Sequence, residues 1–198
     1  NANADAAAAS ALLRNITYQN VSDAPSTALR TLQVVLTDGD GGTSNSATKT
    51  INVSAVNDAP VITSDGGGAT ASISVAENAT AVTTITATDV DLPAQSLTYS
   101  IVGGADAARF SINATSGALS FLVAPNYEAP TDIGANNVYD VIVQVSDGSL
   151  SDSQAIAVTV TPVNDNAPTI TSDGGGATAS VNVAENSTAV TTVTATDV

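Results

Sequence analysis

The sequence predicts an all-β chain built of tandem antiparallel β-sandwiches. Three observations carry that prediction. Apolar residues alternate with polar ones at period two, Gly, Asp, Asn and Pro punctuate the alternating runs, and one block of sequence recurs at the distance of a whole domain. About seven Val- and Thr-rich runs per hundred residues, with no proline inside them, suit two packed sheets.

Along the chain, the alanine-rich stretch 6–13 is the one helix-like segment, read as a short helix or a frayed end. Residues 30–60, RTLQVVLTDGDGGTSNSATKTINVSAVNDAP, form two alternating runs around an Asp-Gly turn and align with residues 139–168, YDVIVQVSDGSLSDSQAIAVTVTPVNDNAP. DGDGG at 38–42 lacks the distal Glu of a helix-loop-helix calcium loop and reads as a hairpin turn, with Asp38 aligned to Asp147. One strand is expected before Glu77 and a second before Asp89 and Asp91. Leu97, Tyr99 and Ile101 mark the next, and Leu119, Phe121 and Val123 another. Tyr139, Val141, Val143 and Val145 alternate with Asp140, Ile142 and Gln144, and Ile156, Val158 and Val160 close the series. DGGGAT at 65–70 and 173–178 has no lysine and no helix pattern after it, so a flexible loop is expected there rather than a phosphate cradle.

The repeat sets the domain organisation. Residues 62–90 and 170–198 are identical at 25 of 29 positions, offset by 108. VNDAP at 56–60 and VNDNAP at 163–168 frame the same unit. That period is too long for a solenoid and matches a string of whole domains. The chain is therefore expected to be a fragment of a longer array: the C-terminal part of one module in 1–60, a complete module in 61–168, and the N-terminal part of the next in 169–198.

Composition removes most chemistry. Nineteen acidic against four basic residues leave a net charge of −15, and Arg14, Arg30, Lys49 and Arg109 are scattered, so no basic patch exists to neutralise phosphates. No apolar run approaches twenty residues, so no membrane insertion is expected. With no His and no Cys, histidine-activated nucleophiles, thiolate and imidazole metal sites and disulfides are all absent. No enzyme activity is expected: a carboxylate pair could serve a glycosidase, but sugar clefts usually need aromatic platforms, and Tyr18, Tyr99, Tyr127 and Tyr139 fall on strand or linker patterns. Aromatics are only 3%, so small aliphatic side chains must fill the core, and a thin core leans on something besides packing. What remains is oxygen: carboxylates, amides, hydroxyls and carbonyls, a set suited to hard cations and to calcium first.

The acids concentrate at strand ends and linkers: Glu77, Asp89, Asp91, Glu128, Asp147 and Asp165. Carboxylates crowded at one pole of a sandwich repel one another unless a cation lies between them.

These segments resemble a known family. VNDNAP, AEN, ATDVD, LTYSI, NYEAP and YDVIVQVSDG are similar to the signature elements of cadherin repeats. The Ala/Thr/Gly-rich wording further resembles the cadherin-like repeats of large biofilm- and RTX-type bacterial surface adhesins. The resemblance implies Greek-key, immunoglobulin-like sandwiches with calcium ions between consecutive repeats. Carried over, the junction after the complete module would use Glu77, Glu128, Asn164, Asp165, Asn166 and Asp197. The junction before it would use Asn57, Asp58, Asp89, Asp91 and Asp147. Pro162 and Ala55 stand where the family linker opens with an acid, Ala59 replaces a linker asparagine, and Asn126 replaces an aspartate beside Glu128. Each departure removes a ligand or a charge, and the first junction is expected to bind more weakly.

The implied function is that of calcium-stiffened extender repeats in a secreted adhesin on a bacterial cell surface. The partners are adjacent repeats of the same chain, joined through calcium. The rival is direct recognition of a cell, a matrix polysaccharide or an identical chain. A third reading is an accessory module of a secreted enzyme.

Overall fold

The structure, a computed structural model, describes residues 10–11, 13–37 and 41–197. Residues 6–9 and 12 of the helix-like stretch, and 38–40 of the DGDGG turn with Asp38, lie outside the described residues. Ser10, Ala11 and Leu13 are helical, and the Arg14 N–H closes the turn on the Ser10 carbonyl at 3.1 Å.

Thirteen strands follow among the described residues. β1 (Arg30–Val34) and β2 (Ala47–Ile51) make an antiparallel hairpin, with Arg30 opposite Ile51. Next come β3 (Val61–Ile62), β4 (Thr70–Ala76), β5 (Ala81–Thr84), β6 (Ala87–Thr88) and β7 (Thr98–Gly103). They are followed by β8 (Phe110–Ile112), β9 (Ala118–Phe121), β10 (Val138–Ser146) and β11 (Ser151–Thr161). The last two strands are β12 (Thr169–Ile170) and β13 (Ala195–Thr196). One sheet has the order β4-β11-β10-β7 and another β5-β9-β8; β3 pairs with β6, and β12 with β13.

The described residues fall into two compact units. One comprises those of Asn1–Ile62 with Ala87–Thr98 and Val145–Asp152, and it holds the β1–β2 hairpin and the β3–β6 pair. The other comprises those of Thr63–Thr86, Tyr99–Gln144 and Ser153–Val198, and it holds the body of the two larger sheets. In the second unit the alternation read from the sequence is the core. Tyr139, Val141, Val143, Ile156, Val158 and Val160 are buried, and the Tyr139 ring meets Phe121 and Phe110 edge-on at 5.1 and 6.5 Å between centroids. Phe110 and Phe121 stack at 4.6 Å. The three rings add stacked and edge-on contacts to a core otherwise built of Val, Ile and Leu.

Two details differ from the sequence reading. β4 pairs parallel with β11, Thr70 opposite Ala155 and Ala76 opposite Thr161, while the other pairs described by register are antiparallel. Period-two alternation is the same for both directions, so it cannot distinguish them. Val123 lies beyond the end of β9 and is 80% exposed, because the chain leaves the sheet after Phe121. Gly117 is a position that tolerates no side chain: its φ is +72°, and a Cβ would fall on the carbonyl of Ile85.

Candidate metal centre

Two groups of carboxylates form, one in each compact unit. In the first, Asp89 and Asp91 follow β6, and Asp147 lies in the turn between β10 and β11; each places one carboxylate oxygen within 4.8 Å of the others. Local turn chemistry fixes them. The Asp91 N–H donates to Asp89 Oδ1 at 3.0 Å. Asp147 Oδ1 accepts the N–H groups of Ser149 at 2.6 Å and Leu150 at 2.7 Å, which is why acids favour such turns. The linker closes on the same group: Asn57 Nδ2 donates to Asp147 Oδ2 at 2.7 Å, and the Asp58 N–H donates to Asp91 Oδ2 at 3.0 Å. The Leu150 and Ser149 N–H groups and the Asn57 amide hold the Asp147 carboxyl below its ordinary pKa.

In the second, Glu77, Glu128 and Asp165 likewise bring one oxygen each within 4.8 Å. Glu77 directly follows β4 and is only 3% exposed. Its Oε2 accepts the Tyr127 N–H at 2.8 Å and its Oε1 the Val163 N–H at 2.7 Å. Those two N–H groups, Tyr127 first, hold its carboxyl below the ordinary range, with a smaller contribution from Glu128, although burial alone would raise it. Asn78 Nδ2 donates to Asp165 Oδ2 at 2.6 Å, and Asn166 Nδ2 to Asp165 Oδ1 at 3.0 Å. Asn164 and Asp197 line one cavity with Glu128.

The eleven residues expected from the sequence are thus divided five and six between two places. Two of their amides hydrogen-bond within these groups. Asn57 donates to Asp147 and accepts from Gln95 Nε2 at 2.7 Å, and Asn166 donates to Asp165, so both amides steady carboxylates. Asn78 and Gln95 were missed by the sequence reading. Gln95 also donates to Asp91 Oδ2 at 3.2 Å. The available signal for Asn78 is its place directly after Glu77 in AEN; Gln95 carries none.

The donor set fits a hard divalent cation. Every donor is oxygen, and each group holds three carboxylates at close range. A second observation is independent of the count of acids. Asp89 Oδ2 is buried without a hydrogen-bond partner, which for a carboxylate oxygen is costly unless something absent from the structure engages it.

Residues 71–161 match the cadherin domain family. The chain is 34% identical to rabbit (Oryctolagus cuniculus) Cadherin-16 over 129 residues, which is 60% of this chain and 15% of that protein. It is similar to the protocadherin gammaB7 EC3-6 cis-dimer structure, with a TM-score of 0.55 and 29% identity over 74% of this chain and 36% of that one. The human CDH23 EC21-23 structure shares the fold, with a TM-score of 0.59 and 20% identity over 86% of this chain and 54% of that one. The chain thus spans 15% of Cadherin-16 and 36% and 54% of the two solved chains, and its fold is a cadherin-like all-β sandwich. Among the described residues, no helix is long and apolar enough to cross a membrane.

Proposed function

We propose that the chain is a run of calcium-stiffened extender repeats from a secreted cell-surface adhesin, non-catalytic, with its modules divided at 1–60, 61–168 and 169–198. The observation that carries the reading is the anchoring of linker backbone to both carboxylate groups. The Asp58 N–H is bound by Asp91, and the Val163 N–H by Glu77. Asp89, Asp91 and Asp147 with Asp58 would hold calcium before the complete module. Glu77, Glu128 and Asp165 with Asp197 and the Asn164 region would hold it after. The ion supplies positive charge and six to eight oxygen contacts, cancelling the mutual repulsion of the acids. The chain's own part is to fix the carboxylates by turn N–H groups, so that binding the ion restrains the linker between successive modules. The Ala/Thr/Gly-rich wording supports a bacterial surface protein.

The test is thermal melting of the 198-residue chain in calcium and in chelator. Affinity in the extracellular range, about 10⁻⁴ to 10⁻³ M, predicts a melting temperature that climbs with free calcium. The stabilisation is about 2.7 kcal/mol at a hundredfold excess over Kd. A melting temperature indifferent to calcium removes the ion from this account. Small-angle scattering separates stiffening from simple binding: calcium is expected to narrow the distribution of maximum dimensions.

A further inference from the structure

We infer that Asn137 is a positioning residue for the second carboxylate group: its side-chain amide sets the peptide plane from which Glu128 projects. This rests on the calcium reading above and concerns a residue that belongs to neither group. The observation is a clamp on Tyr127. Its N–H donates to Glu77 Oε2 at 2.8 Å, and its carbonyl accepts from Asn137 Nδ2 at 2.9 Å. Because the peptide unit is planar, a fixed Tyr127 carbonyl also fixes the nitrogen and Cα of Glu128. One jaw of the clamp is a member of the group, Glu77, and the residue it orients is another, Glu128.

The loop that carries Asn137 holds that amide in place. The buried Asp132 carboxylate closes it, accepting the Asn136 N–H at 2.9 Å and the Asn137 N–H at 3.1 Å. The Asn137 carbonyl accepts the Val160 N–H at 2.8 Å, which ties the loop to β11 just before Val163, whose N–H Glu77 also holds. At φ +61° Asn137 is left-handed, a conformation asparagine adopts more readily than most side chains. The amide serves the Tyr127 bond alone: its Oδ1 is buried and has no hydrogen-bond partner among the described residues. Turned about, it would set an oxygen against the Tyr127 carbonyl, so Nδ2 must face Tyr127. Position 137 therefore needs both a left-handed backbone and a donor, and glycine supplies only the first.

The experiment is a calcium titration of the ¹⁵N-labelled 198-residue chain, followed at individual amides by NMR. Tyr127 and Val163 report the second centre, and Asp58 and Asp91 the first. Asn137→Gly is expected to raise the calcium concentration at half-shift roughly tenfold at the second pair and to leave the first pair unmoved. In chelator, the Tyr127 N–H of this variant is expected to exchange about fivefold faster, as the loss of one hydrogen bond at the clamp implies. Asn136→Ala is the control. Asn136 Oδ1 accepts the Val138 N–H at 3.0 Å, so that variant loosens the same loop without touching Tyr127, and it is expected to keep the wild-type midpoint. The calcium-free spectra of both variants, compared at Val143 and Val158, check that the fold is kept. An unchanged midpoint or unchanged Tyr127 exchange in Asn137→Gly overturns the assignment. So does an equal loss in Asn136→Ala, or an equal rise at Asp58 and Asp91. If the wild-type amides at both centres ignore calcium at about ten times the extracellular range, the calcium reading itself falls and the assignment with it.

Discussion

Residues 62–90 and 170–198 are nearly the same sequence in two different surroundings. In the first copy, Thr70–Ala76 is a strand paired along its length with β11, and Ile85 is fully buried. In the second, residues 178–184 form no strand, and Val193, the counterpart of Ile85, is 68% exposed. Val75 is 8% exposed and its counterpart Val183 44%. Much is nonetheless shared. Asp65 and Asp173 adopt φ of 52° and 50°, and Asn78 and Asn186 adopt 64° and 62°. Thr83 donates to Asp65 at 3.1 Å, and Thr191 donates to Asp173 at the same distance. The Thr63 N–H reaches the Thr86 carbonyl at 2.9 Å, as the Thr171 N–H reaches Thr194. The difference separates two kinds of information. Contacts within about twenty residues form from the sequence at hand, whereas a strand needs a second strand to satisfy its backbone and a facing layer to bury its side chains.

Paired substitutions test that separation. The largest expected effect is Ile85→Ala, which leaves a cavity under β5 and costs about 2–5 kcal/mol. Val193→Ala in the second copy stays within about 0.5 kcal/mol. Chemical denaturation of the two variants measures both, and equal costs would break the contrast.

Next in size, Glu77→Gln weakens the acceptor of the Tyr127 and Val163 N–H groups and removes a charge from the second centre. It is expected to lower the melting temperature in chelator and to reduce the gain from added calcium. Glu185→Gln, at the exposed counterpart, is expected to change neither. Melting curves with and without calcium decide this, and identical behaviour of the two variants would show that the buried setting of Glu77 is irrelevant.

The smallest effect sharpens the comparison by abolishing the difference. Thr83→Val and Thr191→Val each delete the hydroxyl's bond to the aspartate carboxylate eighteen residues earlier, and each is expected to cost about 0.5–1 kcal/mol or less. Hydrogen exchange at Gly67 and Gly175, whose N–H groups close the two loops on Ser64 and Ser172, should rise by similar factors in the two variants.

The fold was legible where alternation and burial coincide. Val141, Val143, Val145, Ile156, Val158 and Val160 are buried at the positions their period marks. Val123 obeyed the same period and failed, because alternation carries no sign of where the chain turns away from the sheet. The acids were legible as turn, linker and strand-end residues, whereas their gathering into two groups came from the fold. The amides that steady them were not: Gln95 meets Asn57 across 38 residues and Asn78 meets Asp165 across 87, and neither spacing leaves a mark in the sequence.

By itself, the sequence determined local conformations such as the left-handed aspartates and asparagines and the Asx turns. These follow from side chains acting on their own backbone over a few residues, and the duplicated segment reproduces its left-handed Asp and Asn in both copies. Only the tertiary structure decided that β4 runs parallel to β11, that Ile85 is buried where Val193 is open, and that three acids distant in sequence share one place. Those outcomes depend on partners brought from far along the chain, and only the folded arrangement of both sheets supplies them.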